Sequence, residues 1–310
     1  MKNVSMTIVL LLSGLIALTS CDGELEIEQS INEQFAGISQ IEVDGRFLEV
    51  RYEGDPNLTS VELDGLLKST RSGAYQIKVD HEGSLLKIEL DQVGKFGAGN
   101  HLGHIYLKGP QEMNLNLVNG SGSVRVFKVI SPALELETGS GTIEMHLNQI
   151  QKTRINVGSG DVGVFNHQGE VQADSGSGRI EMQGTRGAAS LKSSSGAIHV
   201  RSMEGLLEAE VSSGNVELEN VSSLGKIKAS SGNITGESVG LSPTSNFVSS
   251  SGSIFIRTFS NLQDFNFDLL TNSGNVKVGN NSANGALKIF NGSAHTVLGR
   301  VSSGQIEIVN

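Results

Sequence analysis

The chain has 310 residues with 33 acidic and 23 basic side chains, which gives a formal net charge of −10. This acidic balance argues against nucleic acid as a partner and against electrostatic docking to anionic lipid. Cys21 is the only cysteine, which excludes an internal disulfide and a cysteine-based metal cluster. The 39 glycines follow no collagen period and indicate many tight turns.

Residues 1–20 have the pattern of an export signal peptide. Lys2 is the only charge before an apolar run at 6–18, which is too short to cross a bilayer core of ~30 Å. The sequence Leu-Thr-Ser-Cys at 18–21 resembles the lipobox of bacterial lipoproteins, and this resemblance implies that Cys21 is acylated. We expect a cell-envelope protein, anchored in the outer membrane through its lipid and facing the periplasm or the cell surface.

Residues 21–34 are rich in acidic side chains, including Asp22, Glu24 and Glu26, and predict a solvated tether. Residues 35–110 contain segments in which apolar and polar residues alternate, as in strands with one buried face. We predict that this region is an N-terminal cap over the first rung of a repeat domain at 35–310, because open strand edges invite aggregation.

A Ser-Gly dipeptide recurs throughout residues 111–310. Its spacing is 18 to 22 residues, apart from a final gap of 30 that is wide enough for a degenerate unit around 291–293. The glycines of this repeat, called corner glycines below, are Gly122, Gly141, Gly160, Gly178, Gly196, Gly214, Gly232, Gly252, Gly274 and Gly304. Glycine accepts positive φ at no steric cost, so each dipeptide predicts a tight corner.

The residues around each corner alternate in a fixed register. Positions two and four residues after the glycine are apolar except at Gly236, and a second apolar column lies five residues before it, broken only by Gly299. One such unit buries too few side chains to fold alone, so stability must come from stacking on its neighbours. The sequence predicts an all-β, single-stranded parallel β-helix with about ten or more rungs of 18–20 residues.

At this point the sequence resembles the bacterial putative-adhesin families, including those named after auto-transporter adhesin head domains. The resemblance covers roughly 33–310 and rests on an opening Phe-Ala-Gly-Ile at 35–38 and on rung motifs at 212–216, 230–234 and 272–276. It implies a right-handed β-helix that is exported or lipid-anchored, with adhesion as the associated role. It supplies no catalytic residues.

Three motifs suggest a cofactor or metal site, but each lacks a feature that such a site needs. The Gly-x-Gly-x-x-Gly at 158–163 continues as strand rather than as the helix that a dinucleotide site needs. Calcium-binding glycine repeats need an aspartate in each turn, whereas only Asp161 follows a corner glycine here. His101 and His104 would point to opposite faces of a strand. We therefore expect no cofactor and no metal.

The outward column three residues after the corner glycines is the candidate surface site. Rungs stack ~4.8 Å apart, so His199 should lie between Glu181 and Glu217, which would favour its charged form. Glu144 and Glu181 should be ~9.6 Å apart, at the outer limit of an inverting glycosidase pair. Phe255 should point outward, either to stack on a sugar or to pack against a loop. The alternative is a solvated ladder of unlike charges.

The sequence therefore predicts a non-enzymatic binding or structural module, adhesin-like, whose partners are the membrane through its anchor and a glycan or another envelope protein. Two alternatives stay open. One is a polysaccharide-active enzyme, although such enzymes use longer loops that build a cleft. The other is an envelope-stress or regulatory accessory protein.

Overall fold

The computed structural model describes residues 24–94 and 99–310, which form one coiled sheet of 25 strands. The helical structure in these two ranges is limited to a turn of 3₁₀ helix at Leu262–Asp264. Within the same ranges, no helix has the length and apolar character needed to cross a bilayer. The predicted signal peptide and Cys21 lie outside the described residues.

The strands follow one another with short connections. The N-terminal region contributes β1 (Glu26–Ala36), β2 (Gln40–Asp44), β3 (Glu49–Gly54), β4 (Ser60–Ser69), β5 (Tyr75–Glu82), β6 (Leu85–Gln92) and β7 (His101–Gly109). The central region contributes β8 (Asn114–Asn119), β9 (Val124–Phe127), β10 (Ile130–Thr138), β11 (Ile143–His146), β12 (Gln149–Ser159), β13 (Val162–Phe165), β14 (Gln168–Ser177), β15 (Ile180–Arg186), β16 (Ala189–Ser195), β17 (Ile198–Ser213), β18 (Val216–Ser231), β19 (Ile234–Val239), β20 (Leu241–Ser251) and β21 (Ile254–Thr258). The C-terminal region contributes β22 (Asn266–Val278), β23 (Asn281–Ile289), β24 (Thr296–Ser303) and β25 (Ile306–Val309).

In the central region each strand pairs in parallel with the strand one rung further along the chain. For example, Ile143 of β11 lies opposite Val162 of β13, which in turn lies opposite Ile180 of β15. We call the segments that follow the corner glycines, such as 143–146 and 162–165, the short wall, and those that precede them the long wall. The predicted parallel β-solenoid is confirmed.

The core is a continuous column inside the coil. Every position two or four residues after a corner glycine is buried, as is the apolar column five residues before it. A fully buried aliphatic side chain contributes ~1.5–3 kcal/mol, while ordering the backbone costs ~1–2 kcal/mol per residue. A rung is therefore stable only against its neighbours, as expected for a solenoid.

The corner glycines are required by stacking as well as by backbone angle. Gly178 and Gly214 have φ values of +143° and +142°. A Cβ at Gly214 would lie 2.1 Å from the carbonyl oxygen of Gly196 one rung away, and one at Gly178 would lie 2.0 Å from that of Gly160. The Gly178 N–H donates to the Ser195 carbonyl at 3.1 Å. Any side chain here would push the rungs apart.

The side chain after the corner glycine forms a hydrogen-bond ladder that sequence reasoning missed. Asp161 Oδ1 accepts a hydrogen bond from the backbone N–H of Arg179 at 2.7 Å, and Asn215 Oδ1 accepts one from that of Asn233 at 3.0 Å. Asp or Asn in the rung motif thus satisfies a backbone donor one level away. Asp161 therefore has a structural partner at this corner.

The N-terminal end combines rungs with a cap. Strands β2 and β3 form a rung that pairs in parallel with β8 and β9 on one side and with β6 and β7 on the other. Strand β5 covers β6, β4 covers β7 and β1 covers β4, all antiparallel. The prediction of a tether at 21–34 is wrong from Glu26 onward, because β1 pairs there with β4 and buries Ile31 in the core.

At the C-terminal end, too, the stacking order of the rungs differs from their order along the chain. Strand β24 lies between β20 and β22, and β25 lies between β21 and β22, so the last rung in sequence is inserted before the preceding one. The degenerate unit predicted around 291–293 does not exist, because β23 folds back antiparallel on β22 as a hairpin. Gly299 lies between Phe247 and Leu269 in the register, and the Leu269 side chain fills the space that a Cβ at Gly299 would need, since the two would lie 2.7 Å apart.

One interior column carries polar side chains. Asn148, His167 and Thr185 are all fully buried at successive levels of the turn between the two walls. Asn148 is satisfied, since it accepts from the Val129 N–H at 2.9 Å and donates to the Val126 carbonyl at 3.1 Å. Within the described residues, the His167 ring nitrogens have no hydrogen-bond partner, and burial lowers the pKa of this imidazole to about 4.

Candidate functional site

The outward face of the short wall, here called the ladder face, carries two columns of side chains. The first column lies three residues after the corner glycines and the second lies five residues after them. The register places Glu144, Glu181, His199, Glu217 and Phe255 in the first column, as predicted. Because successive levels are ~4.8 Å apart, neighbouring side chains of one column are within reach of each other.

His199 lies between Glu181 and Glu217 in the register, but it contacts only one of them. Its Nε2 lies 3.6 Å from Oε2 of Glu217, and its side chain is half-buried. Glu181 instead faces Arg201 of the second column at 3.9 Å, and Arg201 also lies 3.6 Å from Glu219. The predicted trio therefore does not form: His199 contacts Glu217 alone, and Glu181 belongs to a separate group with Arg201 and Glu219 that spans both columns.

An open cleft of about 350 Å³ lies beside this network. It is lined by His199, Val200, Arg201, Glu217, Leu218, Glu219, Thr235 and Glu237. The lining alternates carboxylates with an imidazole, a guanidinium and a hydroxyl, so it offers hydrogen-bond donors and acceptors to a polar ligand. Its mixed charge suits a neutral ligand such as a sugar better than a simple ion.

Glu144 belongs to a second ion-pair network nearer the N-terminal end. Arg125 donates through Nε to Glu144 at 2.9 Å and through Nη1 to Glu49. Tyr106 donates its hydroxyl to Glu49 at 2.8 Å, and burial together with this bond raises the pKa of Tyr106. Glu144 is thus held by a cation rather than left free.

The space between Glu144 and Glu181 is not open. Gly163 occupies the level between them, and the Phe165 ring leans over it so closely that a Cβ at Gly163 would lie 2.6 Å from Cε2. An inverting glycosidase needs room for a water molecule between its two carboxyl groups. The phenyl ring takes the place where that water would have to sit.

An aromatic stack in the second column was missed by the sequence reasoning. The His146 ring lies parallel to those of Phe127 and Phe165, with centroid separations of 5.1 and 4.7 Å. The Arg51 guanidinium covers the free face of Phe127 at 4.9 Å. The signal was present in the sequence as aromatic residues five positions after three successive corner glycines.

Phe255 is half-buried and points outward, as predicted. The Arg257 guanidinium lies 5.5 Å from the ring centroid, and Arg257 also pairs with Glu237 at 3.0 Å. Such a cation over the ring face stabilises the pair and occupies the surface that a sugar would stack on.

His101 and His104 do not converge. His101 packs against Phe47 and Tyr75, whereas His104 stacks on Tyr106 with centroids 4.0 Å apart and lies 3.4 Å from Asp64. In the two described ranges, no group of three or more His, Cys, Asp or Glu side chains could hold a metal ion.

Several solved bacterial structures resemble this fold at low sequence identity. A putative lipid binding protein from Parabacteroides distasonis is 17% identical with a TM-score of 0.47, and the match covers 75% of this chain and 96% of that one. A putative adhesin from Bacteroides fragilis is 12% identical with a TM-score of 0.37, covering 91% and 98%. A putative adhesin from Parabacteroides merdae is 13% identical with a TM-score of 0.34, covering 77% and 98%. Similarities this distant do not identify a function.

A search among curated proteins found no match. The model of the family described as Toastrack DUF4097, in contrast, matches residues 16–212 and again 199–309. These two overlapping matches span almost the whole solenoid, including both walls and the ladder face. The family resemblance inferred from the Ser-Gly rungs is confirmed by this match.

Proposed function

The chain belongs to the Toastrack DUF4097 family. We propose that it is a non-enzymatic, lipid-anchored module of the cell envelope that binds a glycan along its ladder face. The observation that carries this proposal is the open cleft beside Arg201 and His199, set in a regular polar surface. The carboxylates, imidazole, guanidinium and hydroxyl that line this cleft can hydrogen-bond several hydroxyl groups of one sugar.

The arrangement of carboxylates favours binding over catalysis. Glycoside hydrolysis needs two carboxyl groups that converge on one bond with a defined gap between them. Here Glu144 pairs with Arg125, and the Phe165 ring separates it from Glu181. A polysaccharide-active enzyme is the competing function, and the release of new reducing ends from a bound glycan would establish it.

Binding is tested by titrating the full chain against a panel of immobilised glycans. Arg201→Ala removes the guanidinium of the cleft and should weaken binding by about tenfold to a hundredfold, since a charge-assisted hydrogen bond is worth ~1.5–3 kcal/mol. Arg186→Ala is the matched control, because Arg186 forms a comparable pair with Glu204 at 3.1 Å but does not line the cleft. Equal losses in both variants would show that the cleft is not the binding site.

The anchor is tested separately by fractionating cells that express the chain. The wild type should enter the membrane fraction with an acylated Cys21, and Cys21→Ser should abolish both acylation and membrane retention. Protease treatment of intact cells then distinguishes the two sides of the outer membrane. Cleavage supports a surface adhesin, and full protection would make surface adhesion untenable.

A further inference from the structure

The N-terminal cap carries a group of exposed aliphatic side chains where the chain enters the fold. Leu25, Ile27 and Leu102 have relative exposures of 38%, 65% and 47%. Aliphatic side chains rarely cluster on the surface of a soluble protein without a partner. We call Leu25, Ile27 and Leu102, together with Lys68 between them, the N-terminal patch.

The strand register brings these residues together. Ile27 of β1 lies directly opposite Lys68 of β4, which lies directly opposite Leu102 of β7. Residues paired in this way project from the same face, and adjacent strands are ~4.8 Å apart, so Ile27 and Leu102 flank Lys68 at ~10 Å from each other. Leu25 directly precedes β1, two residues before Ile27, and its side chain is also exposed.

The row behind the patch is also partly apolar. Ser30, Leu66 and His104 are the next outward-facing partners on the same three strands, and Leu66 and His104 are half-buried. Leu147 on the central rungs is also an exposed aliphatic residue, but its neighbours are polar. It lies in a column of turn residues between the polar side chains of Lys128 and Asn166. The patch therefore combines several aliphatic groups on one flat face.

We propose that the N-terminal patch rests on the membrane surface that holds the acyl chains of Cys21. This inference rests on the anchor in the proposed function. The membrane is the expected partner of the patch because only a short segment separates the patch from the anchor. Leu25 is four residues after Cys21, and four residues span at most ~14 Å. An acylated Cys21 would thus hold the patch within reach of the headgroup region whenever the protein is anchored.

The chemistry of the patch fits the interface between headgroups and acyl chains. Leu and Ile side chains enter this layer, while a lysine extends its ammonium group toward lipid phosphates from an apolar base. The protein carries net negative charge, so the contact depends on apolar burial beside the anchor rather than on attraction to anionic lipid.

The chain contains no tryptophan, so a single introduced indole reports on its own position. The full chain is produced in a bacterial host that processes lipoproteins and is reconstituted into phosphatidylcholine vesicles, with or without bromine on the acyl chains. Leu102→Trp and Ile27→Trp place the indole in the patch. Leu147→Trp and Phe290→Trp are matched controls at exposed apolar positions on the central rungs and at the far end.

In brominated vesicles, the two patch variants should lose about half of their indole emission, because an interfacial side chain sits 5–10 Å deep in the boundary layer. The two control variants should keep theirs. Circular dichroism checks that each variant is folded, and two independent patch positions guard against a local defect in one of them. Equal emission from patch and control indoles would overturn the inference.

Vesicle flotation separates this inference from the anchor itself. If the wild type floats, Cys21→Ser does not, and the patch indoles are unquenched, then the anchor stands and the patch contact is wrong. If the wild type carries no acyl chain and does not float, then the anchor and the patch contact fail together. Flotation with selective quenching of the patch indoles supports both.

Discussion

The central rungs and the two ends of the coil differ in how chain order relates to stacking order. From β8 to β21, each rung stacks on the one before it, and the chain climbs one level at a time. At the N-terminal end the rung of β2 and β3 lies inside that of β6 and β7. At the C-terminal end the rung of β24 and β25 lies inside that of β22.

At each end, the rung nearer the chain terminus lies inside the stack, and the rung next to it in sequence lies outside it. The outer rungs are then closed by antiparallel strands, namely β1, β4 and β5 at one end and β23 at the other. A parallel stack with bare edges would expose unpaired N–H and C=O groups to other chains. Antiparallel strands that lie outside the repeat cover these edges, and the repeat itself needs no special terminal unit.

The strongest test of this difference is a cross-link at the C-terminal end. Ser251 lies opposite Ser303, and Ser303 lies opposite Ser273, all at exposed corners. In a Cys21→Ser background, Ser251→Cys with Ser303→Cys should oxidise to a disulfide in nearly every molecule, because adjacent levels are ~4.8 Å apart. Ser251→Cys with Ser273→Cys should stay reduced at about twice that separation.

Gel mobility without reductant and titration of free thiols measure the outcome. Ser273→Cys with Ser303→Cys is the positive control, since these levels are adjacent whether or not the order is exchanged. A disulfide between positions 251 and 273, with none between 251 and 303, would mean that the end stacks in chain order like the central rungs.

The second test compares a corner glycine of the central rungs with a loop glycine of the cap. Gly214→Ala places a methyl group 2.1 Å from the Gly196 carbonyl oxygen, and it should cost more than about 3 kcal/mol in the free energy of unfolding. Gly73 also has positive φ, at +82°, but nothing lies within 4 Å of its Cβ position. Gly73→Ala should cost only about 1 kcal/mol.

Chemical denaturation of both variants against the wild type gives the two values. The difference between them isolates the stacking contribution from the backbone preference of glycine. Similar losses in the two variants would show that φ alone selects glycine at the corners.

The third test concerns the buried imidazole of His167 in the central rungs. Its pKa is about 4 in the folded state against ~6.5 in the unfolded chain, so the folded protein disfavours protonation. Stability is therefore intact above pH ~6.5 and falls as the pH drops toward 4, by up to roughly 3 kcal/mol. His167→Met, which copies Met203 of the same column, should remove this loss.

The measurement is the free energy of unfolding of both proteins between pH 7 and pH 4. Near pH 7 the Met variant should already equal or exceed the wild type, because two unpaired ring nitrogens are replaced by an apolar side chain. Parallel curves across this pH range would exclude His167 as the source of acid sensitivity.

The smallest expected loss of stability comes from removing an ion pair at the junction between the N-terminal end and the central rungs. Arg125 bridges Glu49 of β3 and Glu144 of β11, so Arg125→Met should cost about 1 kcal/mol. Arg186→Met removes a pair with Glu204 that is more exposed, and it should cost only a few tenths of a kcal/mol. Thermal unfolding of both variants measures the difference, and a larger loss for Arg186→Met would contradict it.

The ladder face could be predicted only in part. A strict spacing of 18 residues places His199 beside Glu181 and Glu217 in the register, and the structure has that arrangement. Spacing along one column says nothing about the neighbouring column, so the pairing of Glu181 with Arg201 was not predictable. The phenyl ring over Gly163 was missed for the same reason, since it reaches across from the second column.

The sequence alone determined the repeating unit of this protein, because the alternation of apolar side chains and the glycine at each corner are local properties that recur at a fixed spacing. Only the tertiary structure decided the order of the terminal rungs. All rungs offer the same apolar faces and nearly the same corners, so local pattern cannot distinguish which rung lies next to which. That choice depends on contacts between distant segments, such as the packing of Leu269 over Gly299 and the antiparallel strands that close each end.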